Sequence, residues 1–443
     1  MLNILLSHPR HYLNYFLLIL FAGLLGLYIA ISSYDWQGML VVFGVLGIVA
    51  VFLLPRLARI EYGSFILKVM IFGLLLRFVF AMIDSWFAFT LYGGTADASH
   101  YNRLGTVVAQ NIRGLEFDKV FAYFNWGTDF IIFFTGVIYS ITGPTLYGGY
   151  LVYAFFAFMG SYFFYRTFRI ASPAGNKTLF TILIFFFPSV LFWANGIGKD
   201  SLIFFFIGLF AFGGAKLTQN QWRGLLPMAI GFLGTMYIRP HIAAILALAF
   251  FLSFLVHGFW KRSIRPAILM IGILAVAALF WILLPRVMDF IGAEQLSPQG
   301  LLARFQQQGI FTSEGGSSFQ TMDLNNPLTY LITLVTILFR PFPWEAHNVF
   351  TIIQGMEGII VMGLVIWRIK SLGKALASSA SNNYLLFILI YVIAFTIYCS
   401  TIGNFGILAR VRLMFLPFLF MLLAYSPPGK KTVAGSEMYP VLG

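Results

Sequence analysis

The chain has 443 residues, 60% of them hydrophobic and only 10% charged, with 51 phenylalanines and a mean hydropathy of +0.88. A soluble enzyme is excluded, because an ordinary soluble chain carries roughly a quarter charged residues and no globular core would hide this much apolar surface. The formal charge of +13 does not point to nucleic acid: Lys and Arg fall in short loops, with no basic block or aromatic-interleaved stripe.

The apolar runs are continuous rather than alternating, which excludes a transmembrane barrel and predicts an all-α polytopic membrane protein. In chain order the candidate segments are 14–32, 38–54, 64–83, 129–142, 147–165, 178–194, 201–215, 225–238, 241–258, 267–284, 327–339, 349–367, 384–401 and 410–425. The first has no small-residue cleavage site and reads as a retained anchor. Basic loops at Arg56/Arg59, Arg166/Arg169/Lys177, Lys216/Arg223, Lys261/Arg262/Arg265, Arg368/Lys370/Lys374 and Lys430/Lys431 all belong on the cytoplasmic side. Fourteen crossings would put some of them outside. Segments 129–142 and 327–339 are shorter than the roughly 20 residues a span needs, so both are expected to stay outside as half-buried helices. About twelve spans remain in one integral domain, 1–443, in the cytoplasmic (inner) membrane with both termini cytoplasmic. The outer face then owns two long loops, 84–146 with its amphipathic helix and 286–348.

Ionisable residues at membrane depth are functional hypotheses by default. Arg77 lies inside the third span, Glu357 near the middle of the tenth, and Arg410 and Arg412 open the last. Lys199, Arg239 and Arg340 join them at the outer edge. Two of these stand in Arg-Pro steps, where the ring stops a helix and leaves the guanidinium at its end. Any one arginine could snorkel to the interface. Six cations, Arg77, Lys199, Arg239, Arg340, Arg410 and Arg412, together predict a site for a lipid phosphate, which arginine grips with two parallel hydrogen bonds and lysine with a point charge.

Acids on the same face supply the other half of a site. Asp97, in GGTADASHYNRLG with His100, Tyr101 and Arg103 behind it, either caps a helix starting there or takes a proton from an attacking hydroxyl. Asp200, in NGIGKDS beside Lys199, carries the same two readings. Glu345, in RPFPWEAHN with Trp344 and His347, reads as a sugar-binding patch or as an interfacial aromatic anchor. His100 and Tyr101 are the further sugar-binding candidates. Cys399 is the single cysteine, so no internal disulfide or cysteine metal site exists, and the outer loops lack the acidic pair that holds a hard divalent ion. Nucleotide-loop, serine-hydrolase and zinc-protease motifs are absent. No metal and no cofactor are expected.

The acidic motif GTADASHY after an early span, the ITGPT turn before a span closed by YRTFR, the GIGKDSL and YIRPH turns, RPFPWE and the terminal NFGILARVRLMFLPFL resemble the C-type (GT-C) membrane glycosyltransferases. They also resemble the polytopic Wzy-type polymerases of O-antigen and exopolysaccharide. The resemblance implies a GT-C-like fold, Asp97 as base, and Arg239, Arg340, Arg410 and Arg412 on the lipid pyrophosphate; Asp200 and Glu345 are the other catalytic candidates among the outer-face acids. The sequence departs from it where Ala98 follows the acid in place of an Asp-Glu pair, and in two extra N-terminal spans. The implied reaction is attack of a sugar hydroxyl on a sugar carried by a polyprenyl phosphate or pyrophosphate, most simply in polysaccharide polymerisation in the cell envelope. Its partners would be the polyprenyl-linked glycan donor, a glycan acceptor, membrane lipid and polysaccharide assembly or export proteins, with no nucleic acid. The alternative is a transporter or flippase for the same lipid-linked glycan, which would be expected to show two related halves that are not evident here.

Overall fold

The computed structural model describes residues 35–61, 64–91, 93–94, 97–261, 281, 284–285, 288, 318–319, 327–346, 349–400 and 402–428. Segment 14–32, nearly all of 267–284, most of the second long loop, His347 and both termini lie outside the described residues. The described residues are helical throughout, with one isolated antiparallel bridge between Ser318 and Asn404 and no strand.

The first helices, α1 (Trp36–Ile60) and α2 (Ser64–Trp86), form a hairpin, and α2 ends in a π-turn, Phe87–Leu91. Then follow α3 (Asp97–Arg113), the single turn α4 (Phe117–Phe121) and α5 (Thr128–Thr142), and the long α6 (Leu146–Ala171). Next come α7 (Lys177–Phe186), α8 (Pro188–Phe192), α9 (Lys199–Thr218), α10 (Leu225–Ile238) and α11 (Pro240–Lys261). The last group is α12 (Pro327–Phe339), α13 (Val349–Trp367), α14 (Ile369–Ser378), α15 (Asn383–Cys399), α16 (Phe405–Arg412) and α17 (Leu416–Ala424).

Four described helices are long and apolar enough to cross a membrane, and up to seven spans result if each bent pair is one. Of the twelve read from apolar runs, 14–32 and nearly all of 267–284 lie outside the described residues, and others are broken or bent. Segment 178–194 breaks at Phe187, which Pro188 restricts to extended geometry, leaving α7 with ten residues, or about 15 Å of helix. Segment 410–425 bends by 54° between α16 and α17. The 129–142 helix, expected not to cross, is turned 113° from α6 and cannot continue it as a straight rod.

Helix starts are set by side chains placed to catch orphan N–H groups. Thr145, Asn176, Asn382 and Asn404 each accept a backbone N–H in the first turn of α6, α7, α15 and α16. Asp35 reinforces α6, its Oδ2 accepting from Thr145 Oγ1 and Tyr147 N, both at 3.0 Å. Burial pushes the Asp35 carboxyl up, against the pull of those hydrogen bonds.

The centre of the bundle is α9, 72% of whose apolar window is buried, whereas α1 has 17% and turns Val41, Val45, Ile48 and Phe52 outward. Lipid tails are as apolar as leucine, so close backbone approach has to drive helix association in a membrane. Gly160 of α6 and Gly208 of α9 provide it: a Cβ on Gly160 would lie 2.9 Å from the Phe205 Cα, and one on Gly208 2.8 Å from the Gly160 carbonyl. Glu61, just past the end of α1, ties that end to α6. Its buried carboxylate meets Arg166 Nε at 2.7 Å and Arg169 Nε at 3.2 Å.

Candidate functional site

Six parts of the bundle converge on a cavity of about 130 Å³. Asp84 comes from the end of α2, Asp97 and Tyr101 from the start of α3, and Tyr150 from α6. Trp193 and Gly196 precede α9, Lys199 and Asp200 open it, Arg239 stands between α10 and α11, and Arg410 lies on α16. Three carboxylates and three cations therefore face one small space.

Local sequence explains each placement. The Gly196-Ile197-Gly198 run delays α9 until Lys199, so the unpaired N–H groups of its first turn open onto the cavity, as helix N-termini do at anion sites. Pro240 stops α10 and holds Arg239 out of the helical region, at φ −143° and ψ 87°. The Arg239 Nη2 then donates to Asp200 Oδ1 at 3.0 Å, with both side chains more than four-fifths buried. Asp200 spends its carboxylate on that ion pair, and the N-cap of α9, Gly198, has no side-chain cap. Lys199 Nζ donates to Thr128 Oγ1 at 3.0 Å, and Thr128 also bonds the Tyr101 hydroxyl. Burial, then the Asp97 charge, pushes the Tyr101 phenol up to about 12, so it stays a protonated donor at any physiological pH. Asp97 lies exposed at the rim in the first turn of α3. Arg410 lies over the Trp193 ring, 5.4 Å from its centroid, and makes no ion pair among the described residues.

Asp84 has a different setting. It makes no hydrogen bond or ion pair among the described residues and lies within electrostatic reach of Arg410 and Asp200. Its Oδ2 rests against Gly196, where a Cβ would stand 2.5 Å away.

The structure thus brings together Asp97, Tyr101, Lys199, Asp200, Arg239 and Arg410 of the residues expected from the sequence. It places the others elsewhere. Arg77 is fully buried inside the bundle, donating to Ser161 Oγ at 2.8 Å, Asn195 Oδ1 at 3.1 Å and the Val190 carbonyl at 3.2 Å, with Phe204 beneath it. Arg412, 1% exposed, donates to the Arg340 carbonyl and lies in the field of the buried Glu357, which accepts from Ser189. Arg340 is held by Glu345, with Nη2 to Oε1 at 2.6 Å, and its guanidinium covers the Phe319 and Phe405 rings at 5.1 and 5.2 Å. Trp344 stacks on Phe342 at 4.8 Å and is 78% exposed. His100 is exposed on α3 and does not line the cavity.

Asp84, Tyr150 and Trp193 are cavity residues that sequence reasoning passed over. Asp84 carried a usable signal, an acid one residue beyond the 64–83 apolar run; Tyr150 and Trp193 carried none among 21 tyrosines and 9 tryptophans. Among the described residues no group of three His, Cys, Asp or Glu side chains is arranged to hold a metal ion. No protein-family model, curated protein or solved structure matches the chain.

Proposed function

We propose that this protein is a membrane glycosyltransferase that uses a sugar or oligosaccharide carried on a polyprenyl phosphate or pyrophosphate, acting in polysaccharide polymerisation at the outer face of the cytoplasmic membrane. The observation that carries the reading is the cavity itself: acids and cations gathered at helix ends, at the edge of a bundle whose outward surface is apolar. Glycosyl transfer needs both charges. A carboxylate accepts the proton of the attacking hydroxyl as its oxygen bonds to the anomeric carbon. The bond from that carbon to the phosphate oxygen breaks, and the electron pair leaves with the phosphate. Arg410, Lys199 and the first-turn N–H groups of α9 are placed to meet the charge that grows there. The Asp200–Arg239 pair fixes the α9 start against the α10–α11 turn and holds the wall of the cavity in place. The twelve-span, GT-C-like layout expected from the sequence belongs to this proposal.

Charge rather than shape supports the reading, and charge removal tests it. With the purified chain in nanodiscs, Arg410→Ala is expected to lower turnover of lipid-linked glycan from the producing cell by roughly a hundredfold or more. Arg410→Lys should recover only part of that, because the forked geometry is lost. Full turnover by Arg410→Ala at normal protein levels overturns the phosphate role of this cavity.

A further inference from the structure

The floor of the cavity holds two polar groups that the assignments so far leave idle. Asp84 has no hydrogen-bond or ion-pair partner among the described residues, although it lines the cavity. Tyr150, wholly buried and also lining the cavity, has a hydroxyl with no partner. The two lie together: the point 2.5 Å from Asp84 Oδ2 where a Gly196 Cβ would stand is 3.8 Å from Tyr150 Cε1. An unmatched buried hydroxyl costs about 1–3 kcal/mol, and the half-buried Asp84 carboxylate opens onto the same cavity, so both groups are available to a partner that arrives from outside.

The chemistry of the pair selects that partner. Ionised aspartate only accepts hydrogen bonds, and an un-ionised phenol has one proton to donate. A group that satisfies both must donate to one and accept from the other, as a hydroxyl does, and in glycosyl transfer the incoming hydroxyl is the acceptor's. The other carboxylates are placed less well. Asp200 is tied to Arg239, and Asp97 is exposed at the rim in a helix first turn.

Resting on the glycosyl-transfer reading, we infer that Asp84 and Tyr150 form the subsite for the acceptor sugar hydroxyl and that Asp84, rather than Asp97 or Asp200, is the proton-accepting catalytic residue. Tyr150 donates to the hydroxyl oxygen, and the hydroxyl donates to Asp84. In the transfer, that oxygen bonds to the anomeric carbon, its proton passes to the Asp84 carboxylate, and the bond to the lipid phosphate breaks with its electrons going to the phosphate beside Arg410. Gly196 belongs to the device because any side chain at that position would occupy the space of the Asp84 carboxylate.

Two measurements on the full chain in nanodiscs test this: turnover of lipid-linked glycan from the producing cell, and binding of undecaprenyl phosphate as a probe of the phosphate side. Asp84→Asn is expected to lose at least a hundredfold in turnover while binding undecaprenyl phosphate within threefold of wild type. Tyr150→Phe should raise the acceptor KM about tenfold with kcat little changed, and Asp97→Asn should lose at least tenfold less turnover than Asp84→Asn. Gly196→Ala, which leaves every polar group in place, should cost at least tenfold alone and nothing further on Asp84→Asn; it serves as the second probe if the Asn variant misfolds. Turnover within threefold of wild type for Asp84→Asn, or an equal loss in Asp97→Asn, overturns the assignment while leaving the glycosyltransferase reading standing. A wild-type protein that neither binds undecaprenyl phosphate nor turns over the glycan overturns both.

Discussion

Replacing Arg77 by Met keeps a long unbranched side chain and removes the guanidinium at the heart of the bundle. Three acceptors lose a donor, the Val190 carbonyl, Asn195 Oδ1 and Ser161 Oγ, but Ser161 still donates to the Ile184 carbonyl at 3.0 Å. Two buried acceptors are therefore orphaned. At about 1–3 kcal/mol each the gross loss is about 2–6 kcal/mol, and sparing the burial of a charge returns part of it. A net loss of about 3 kcal/mol is expected, read as a lower apparent melting temperature of detergent-purified protein by fluorescence-detected gel filtration. Because Val190 and Asn195 flank Trp193 and lead into Gly196, Arg77→Met should also weaken undecaprenyl phosphate binding. A double-mutant cycle with Asn195→Ala should show coupling of at least about 1 kcal/mol, since the pair shares one hydrogen bond. A melting temperature within a degree of wild type, together with zero coupling, would refute a structural role for Arg77 and return it to the pool of candidate phosphate ligands.

Glu61→Ala leaves Arg166 and Arg169 facing a partly buried gap, so a loss of about 3 kcal/mol in the same melting assay is expected, with polyprenyl phosphate binding by the surviving folded protein unchanged. Trp193→Leu removes the ring face under Arg410, and a contact worth about 0.5–1 kcal/mol predicts a roughly two- to fivefold weaker undecaprenyl phosphate affinity, measurable by titration in nanodiscs. Exchanging Asp200 and Arg239 for each other should recover folding lost in either single change but not turnover, because the pair would reform with its charges reversed in the cavity; recovered turnover would show that the wall charge does not matter to the chemistry. Cysteines placed at Ile141 and Trp344, which are 81% and 78% exposed, should both react with a membrane-impermeant maleimide added outside intact spheroplasts, with the buried native Cys399 silent; protection at either site would contradict the outer location of these loops.

The helices were legible because apolar runs in a membrane chain can do little else: 38–54, 64–83 and 241–258 fall within α1, α2 and α11. Breaks were harder to see. The Pro188 interruption of 178–194 hides inside continuous apolar sequence, and the bend after Arg412 has no proline at the kink itself, the nearest being Pro417. The site was legible to the extent that charges sit at helix ends. Lys199, Asp200 and Arg239 were found in short turns, and those turns meet. Arg77, Arg340 and Arg412 look the same in sequence, but three-dimensional neighbours decide their use: Ser161 and Asn195 for the first, Glu345 and two phenyl rings for the second, the Arg340 carbonyl for the third. Asp84 escaped notice because its partner surface, Gly196, lies more than a hundred residues away in the chain.

The wide spacing of the cavity residues sets an order on how the site is made. Asp200 and Arg239 are 39 residues apart and belong to adjoining helices, so their ion pair needs only α9, α10 and the turn after α10. Asp84 and Tyr150 are already in the chain by then, on α2 and α6. Arg410 comes last, on α16, after α12, α13, α14 and α15 have been synthesised and found places. During biosynthesis the acids and the wall of the cavity therefore exist before Arg410, and a nascent chain halted short of α16 would hold the three carboxylates, Lys199 and Arg239 without it. The charge set of the cavity is complete only once α16 has joined the chain.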